Sequence, residues 1–116
     1  IVGKNGKVFG IEIVPELAEK SKENLKEYNN VKIYNKNGRF GLKTEAPFNR
    51  ILISAAAYDE IPLPLSEQLK ERGILVAPVG NVYNQDLIAY QKINGKLKLK
   101  KQIPGFIFVP LVENVE

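Results

Sequence analysis

The 116-residue sequence has no cysteine, no histidine, no tryptophan and no methionine. Without cysteine there is neither a disulfide framework nor a thiolate nucleophile. Without histidine the commonest general base is gone, and Ser54 has no imidazole to activate it. Metal ligation would fall to carboxylates, and no acidic cluster has the spacing of a cation-binding loop. No metal is therefore expected. These absences argue against hydrolases and favour a reaction whose nucleophile arrives on the substrate. A chain that opens on Ile1 and holds no methionine reads as trimmed from a longer product, a natural truncation or a split gene being the alternative. No apolar run approaches the ~18 residues that cross a bilayer, and no signal-peptide pattern opens the chain. No membrane partner and a cytoplasmic location are the expectations.

What is present is ordinary globular material, 44% hydrophobic and 26% charged, enough for one domain and one core. The net charge of +4 is scattered. Its densest patch is Lys96, Lys98, Lys100 and Lys101, of which the first three alternate with Leu97 and Leu99. Alternation puts these three lysines on one face of a strand, a solvated face or an edge guarded against aggregation. No aromatic residues interleave with them, so no nucleic-acid partner is expected.

Two segment types alternate along the first two-thirds of the chain. Residues 7–13 form a short β-forming run after the Asn5-Gly6 turn signal. Pro15 suits a first helical turn, and Leu17, Ala18, Ser21, Leu25 and Tyr28 recur at helical steps. Asn29-Asn30 stops that helix, and residues 31–34 read as a second strand. Residues 48–57 are a third, nearly continuous in apolar residues after Arg50, as in parallel strands buried on both faces. A short helix over residues 65–70 stops near Gly73, and residues 74–79 make a fourth strand. The tail then changes character. Residues 86–93 and 96–101 alternate and are joined by Asn94-Gly95, a strong hairpin signal. A last apolar run, residues 106–112, is interrupted by Pro110. Such strand–helix–strand alternation predicts an α/β fold, a parallel sheet with helices on both faces that ends in an antiparallel hairpin.

In open α/β sheets ligands bind at the carboxyl ends of the strands. Glu12 ends the first strand, where an acidic side chain can accept hydrogen bonds from both hydroxyls of a ribose; the alternative is a solvated glutamate. The glycine-rich loop of the dinucleotide-binding version lies ~20 residues before that acid. Only eleven residues precede Glu12, so such a loop would fall upstream of Ile1. Asn37-Gly38 follows the second strand, where a side chain can meet an adenine edge and glycine admits the backbone; the alternative is a plain Asn-Gly turn. Ser54, Ala55, Ala56 and Ala57 end the third strand, either keeping a pocket floor open or packing closely under a helix. Pro78, Val79 and Gly80 end the fourth at the same sheet edge.

Residues 6–25, Asn30-Val31, Gly38, Gly41, Ala46-Pro47-Phe48, Ser54 to Ala57, Ile61-Pro62, residues 67–70, Pro78-Val79-Gly80 and Phe108-Val109-Pro110-Leu111 run in one further pattern. In order and spacing they resemble the protein-L-isoaspartate O-methyltransferases, across nearly the whole chain. The resemblance implies a truncated Rossmann-like class I S-adenosylmethionine-dependent methyltransferase fold. Residues 1–116 would then be a partial methyltransferase domain, without the glycine-rich loop, the N-terminal segment or the family's serine-containing active-site segment. It also implies S-adenosyl-L-methionine as cofactor, with Glu12 on its ribose hydroxyls, Ile13 beside it, Asn37 and Gly38 at the adenine, and Ser54 toward the methionine. Ala55 and Ala56 would line the substrate region, and no catalytic side chain is assigned. The implied reaction methylates the α-carboxylate of L-isoaspartyl residues in damaged proteins, a repair step.

The chain departs from the family pattern at three places. Lys36-Asn37-Gly38 stands for Gly-Asp-Gly, Asn49 for a common aspartate, and Ile107 for a frequent arginine. The alternative reading is thus a degenerate, non-catalytic methyltransferase-fold protein acting as a binding or partner subunit. In either case a bare sheet edge is expected beside Glu12, with self-association through it.

Overall fold

The structure, a computed structural model, describes residues 1–112, and these fall into two compact units that meet in the chain between Gly38 and Arg39. In the first, β1 (Val8–Glu12), α1 (Pro15–Asn24) and β2 (Val31–Asn35) form one strand–helix–strand crossover. The strands pair in parallel from Val8↔Val31 to Glu12↔Asn35. Pro15 opens α1, where its fixed φ and missing N–H cost nothing, and Glu16 and Lys22 complement the helix dipole at its two ends. The helix stops at Asn24, short of the predicted Tyr28. Tyr28 is 60% exposed, so another turn would have gained no packing.

Parallel strands need their end groups closed, and asparagine side chains do this at both ends. At the start, Asn30 Nδ2 donates to the carbonyls of Gly3 and Gly6 (3.1 and 2.9 Å), while its own carbonyl accepts from Val8 N at 2.9 Å. At the far end, Asn35 Nδ2 donates to the carbonyls of Glu12 and Ile13 (2.9 and 3.1 Å). The crossover is therefore pinned where pairing begins and where it ends.

The second unit holds β3 (Phe48–Leu52), β4 (Ala57–Tyr58), α2 (Leu63–Gln68), β5 (Leu69–Gly80), β6 (Gln85–Ile93) and β7 (Lys96–Phe106). Its sheet runs β3-β5-β6-β7, with β4 also on β5; β3 and β4 are parallel to β5, while the β5–β6 and β6–β7 pairs are antiparallel. Ile53, Leu65, Leu69, Leu75 and Ala77 form its core, so α2 buries its apolar side against the middle of β5.

The expected α/β fold, with parallel strands and a closing antiparallel hairpin, is found, its strands divided between two sheets, β1 with β2 and the five-stranded sheet. Three expectations are corrected. The predicted strand over residues 48–57 breaks into β3 and β4, and Leu52 is 77% exposed rather than buried on both faces. The predicted helix over residues 65–70 starts and ends two residues earlier, and the next strand begins at once at Leu69 rather than at Ile74. Gly73 does not end the helix. It lies inside β5, where a Cβ would meet Leu69 Cδ1 and Lys70 O at 2.8 Å, and the neighbouring Arg72 takes φ +69°. Chain is looped out there, because Phe48 pairs with Leu69 but Arg50 with Ile74. Last, the lysine alternation on β7 is broken by a bulge. Tyr90 pairs with Leu99 and Ala89 with Lys101, which leaves Lys100 as the extra residue, so Lys101 rather than Lys100 shares a face with Lys98.

The Asn94-Gly95 hairpin forms as predicted, with φ of +52° and +77°, the type I′ combination. Its two amides both donate to the Glu71 carboxylate, Gly95 at 3.0 Å. Lys92 Nζ closes the end of α2 by donating to the carbonyls of Ser66 and Leu69 at 2.9 Å.

The Gly95 amide, then the Asn94 amide, hold the Glu71 pKa below its ordinary 4.5. A folded value below the unfolded one makes the carboxylate stabilising above pH 4.5, and that stability is lost as pH falls through the lowered value. Glu71→Gln should flatten this acid limb, read as the urea midpoint between about pH 7 and about pH 3. An acid limb identical to that of the unaltered chain refutes the latch. Lys96, Lys98 and Lys100 are all exposed. Changing the three to glutamine should shift stability by no more than ~0.5 kcal/mol in the same assay.

Candidate functional site

Glu12 and its neighbours belong to the first unit. The strand delivers Glu12 to the carboxyl end of β1, and its register partner Asn35 holds the backbone there. Val14 N, at the entrance of α1, donates to Glu12 Oε2 at 3.1 Å. That bond fixes the direction of the carboxylate. Among the described residues Oε1 has no hydrogen-bond partner. A half-buried carboxylate is thus oriented by one oxygen, with the other left to accept from hydroxyl groups. Ile13 is half-buried beside it.

Asn37 is buried, at 9% exposure, although it follows the end of β2 in a polar stretch. Neither Asn37 nor Gly38 has positive φ, so the pair is not a plain Asn-Gly turn; Gly38 opens a 3-10 turn, Gly38–Phe40. A Cβ at Gly38 would lie 3.7 Å from Ile11 Cγ2, an ordinary contact. Packing within the chain therefore does not require glycine here. Lys36, the bulky departure from the family pattern, is exposed.

Ser54, Ala55 and Ala56 belong to the second unit. Between Leu52↔Val76 and Ala57↔Val79 the chain takes five steps against three on β5, so two residues are looped out of the ladder. Ser54 is exposed, Ala55 half-buried, and Ala56 and Ala57 are 1% exposed. Packing thus explains the last two alanines, while Ser54 and Ala55 present small surfaces outward. The loop is held by the tail: Ala56 N donates to Val109 O at 2.6 Å, and Leu111 N to Ala56 O at 2.9 Å. Gly80, at the end of β5, is needed where it stands, because a Cβ would meet Asn84 O at 2.3 Å.

Two buried amides escape any sequence pattern. Gln68, 8% exposed, accepts from Leu42 N at 2.8 Å and donates to Phe40 O at 3.0 Å. Gly41, between them at φ +66°, lies so close that a Cβ would sit 2.2 Å from Gln68 Oε1. Gln85, fully buried, accepts from Phe108 N at 2.7 Å and donates to Asn81 O at 2.6 Å. Their only sequence signal is a polar residue at a position where a helix or strand should bury an apolar one. Among the described residues, no three His, Cys, Asp or Glu side chains gather as metal ligands would.

A strand–helix–strand crossover ending in an oriented carboxylate, with parallel strands that turn into an antiparallel hairpin, defines a Rossmann-like methyltransferase domain. Solved structures agree on that fold. One, assigned as a Plasmodium falciparum protein-L-isoaspartate O-methyltransferase and in complex with S-adenosyl-L-homocysteine, matches with a TM-score of 0.79 and 32% identity over 96% of this chain and 55% of its own. Another protein-L-isoaspartate O-methyltransferase superposes with a TM-score of 0.87 at 24% identity, over 99% of this chain and 37% of its own, a likeness of fold. The chain belongs to the protein-L-isoaspartate(D-aspartate) O-methyltransferase family, whose model matches residues 1–116. It is 50% identical over 114 residues to the protein-L-isoaspartate O-methyltransferase of Methanococcus aeolicus, covering 97% of this chain and 51% of that protein. It is 45% identical over 113 residues to protein-L-isoaspartate O-methyltransferase 2 of Archaeoglobus fulgidus, covering 96% and 51%. The chain thus spans about half the length of the curated relatives it matches.

The segment after Asn37 depends on Gln68. Gln68→Leu keeps the volume but strands the Leu42 amide and the Phe40 carbonyl, and should destabilise the chain by ~1–3 kcal/mol in urea unfolding. No loss would mean that the two backbone groups are satisfied without it.

Proposed function

We propose that this chain is the nucleoside-binding and substrate-facing part of an S-adenosylmethionine-dependent protein-L-isoaspartate O-methyltransferase. The observation that carries the reading is Glu12, a carboxylate at a strand's carboxyl end with one oxygen anchored by Val14 N. The residues present suit the cofactor. Glu12 Oε1 would accept from the ribose hydroxyls, Ile13 would pack beside it, and Asn37 with Gly38 would lie at the adenine. When bound, the cofactor supplies an electrophilic methyl group on a sulfonium.

The chain's own residues have a restricted task. An isoaspartyl α-carboxylate has a pKa near ~4 and is ionised at neutral pH, so no general base is needed, in keeping with a chain without histidine. What remains is orientation and exclusion of water. Ser54 would lie toward the methionine end of the cofactor. Ala55 and Ala56 would border the incoming carboxylate, their small side chains leaving room for a peptide backbone. Damaged proteins carrying L-isoaspartyl residues are the proposed partners, and the cytoplasm the proposed location.

The eleven residues before Glu12 hold no loop for the methionine end, so the 116 residues by themselves bind cofactor weakly and do not turn over. Their open strand edges favour self-association. The test is transfer of labelled methyl to an isoaspartyl peptide, by the 116 residues and by the full-length protein that carries them. Transfer is expected only from the second; transfer from the first refutes the fragment reading, and none from either favours the non-catalytic alternative. In the full-length protein, Glu12→Ala should weaken cofactor binding by ~1.5–3 kcal/mol in calorimetry, the range for a hydrogen bond to a charged group. Unchanged affinity removes Glu12 from the site.

A further inference from the structure

A glutamine with no exposed surface is costly unless both ends of its amide are paired. Gln85 meets that condition with two backbone groups from different segments: Nε2 donates to Asn81 O, in the β5–β6 connection, and Oε1 accepts from Phe108 N, in the tail after β7. Asn81 is itself fixed, its side chain accepting from Tyr83 N at 2.9 Å and Asn84 N at 3.1 Å. Gln85 therefore ties the tail to a rigid turn.

The tail needs such a tie. Phe106 is its last residue paired with β6, opposite Gln85, and Gly105 just before it takes φ +93°. From there the chain passes from the β6 side of β5 to the β4 side, where Val109 and Leu111 bracket Ala56 with two hydrogen bonds. Ile107 and Val109 on this crossing are 74% and 71% exposed, so burial does little to hold it. The bracket on Ala56 sets the position of Ala55 and Ser54, the residues looped out of the ladder.

We infer that Gln85 is a positioning residue for the substrate side of the methyl-transfer site. It fixes the tail through Phe108 N, and the tail fixes the loop of Ser54, Ala55 and Ala56. The inference rests on the function proposed above. Gln85 touches neither substrate nor cofactor; Glu12 and Asn37 lie in the other unit of the chain, so it acts on peptide binding and leaves nucleoside affinity alone.

Two experiments test this. In the full-length protein, Gln85→Leu should raise the KM for an isoaspartyl peptide on the order of tenfold, about what one buried hydrogen bond carries, with adenosine affinity within about twofold. Gln85→Glu, which would bury a carboxylate and turn an acceptor onto the Asn81 carbonyl, should recover none of that loss. A KM that does not move, or an adenosine affinity that falls in step with it, overturns the inference. The second measurement needs no substitution and no turnover: hydrogen exchange in the unaltered 116-residue chain. The amides of Phe108, Ala56 and Leu111 should open together, with one protection factor. Independent opening of Ala56 overturns the inference even if methylation is observed. Absence of methylation with cooperative opening would remove the function proposed for the site and leave the mechanical link standing.

Discussion

Every backbone N–H and C=O that leaves a ladder inside a protein needs another partner, and in this chain carboxamide side chains supply it. Asn30 and Asn35 close the two ends of the β1–β2 pair. Gln68 closes the segment around Gly41, and Gln85 closes the junction between the β5–β6 turn and the tail. A carboxamide suits the task because it both donates and accepts without carrying charge into a low-dielectric interior. Each of the four sits where a strand or helix ends. Of the four, Asn35 lies at a strand's carboxyl end, where ligands are held in an open α/β sheet.

This arrangement positions backbone with uncharged side chains, which leaves Glu12 as the one charged group assigned to the proposed site. The methyl transfer proposed for this chain would ask for placement rather than proton transfer, so under that proposal backbone position near Glu12 and near Ser54 is the quantity that matters. Charged groups are used instead at the periphery. Glu71 binds the hairpin amides and Lys92 the α2 carbonyls, far along the chain from Glu12, and both stabilise turns. Amides thus serve the ends of helices and strands, Gln68 and Gln85 of them buried, while ions serve turns at the periphery.

Family membership and local geometry bear on different questions. The match over residues 1–116 and the shared fold identify the lineage, whereas the local geometry shows a carboxylate at Glu12 anchored by Val14 N. The departure at Lys36-Asn37 has a structural aspect too. Lys36 is exposed, whereas Asn37 is buried.

Much of the fold was legible in the chain itself. Pro15 with its helical spacing, the β-forming runs and the Asn94-Gly95 pair each encode local geometry through backbone preference, and the start of α1, β1, β2 and the hairpin stand close to where those signals put them. The place of Glu12 at the carboxyl end of β1 was legible as well, because an acid at a strand end is a local feature. What only the tertiary structure decided are the events that depend on partners distant in sequence. An apolar run over residues 48–57 looks like one strand, yet it breaks because Ala56 is bracketed by Val109 and Leu111 while Ala57 returns to β5. Gly73 looks like a helix stop, yet it is a strand residue pressed against Asn49 O. Lys100 looks like part of a regular face until β6 imposes a bulge. Gln68 and Gln85 look like ordinary polar residues, and their burial follows from backbone groups twenty or more residues away that no local pattern can announce. Local preference is written in neighbouring residues, but the pairing of a stranded amide or carbonyl is settled only when the whole chain has closed around it.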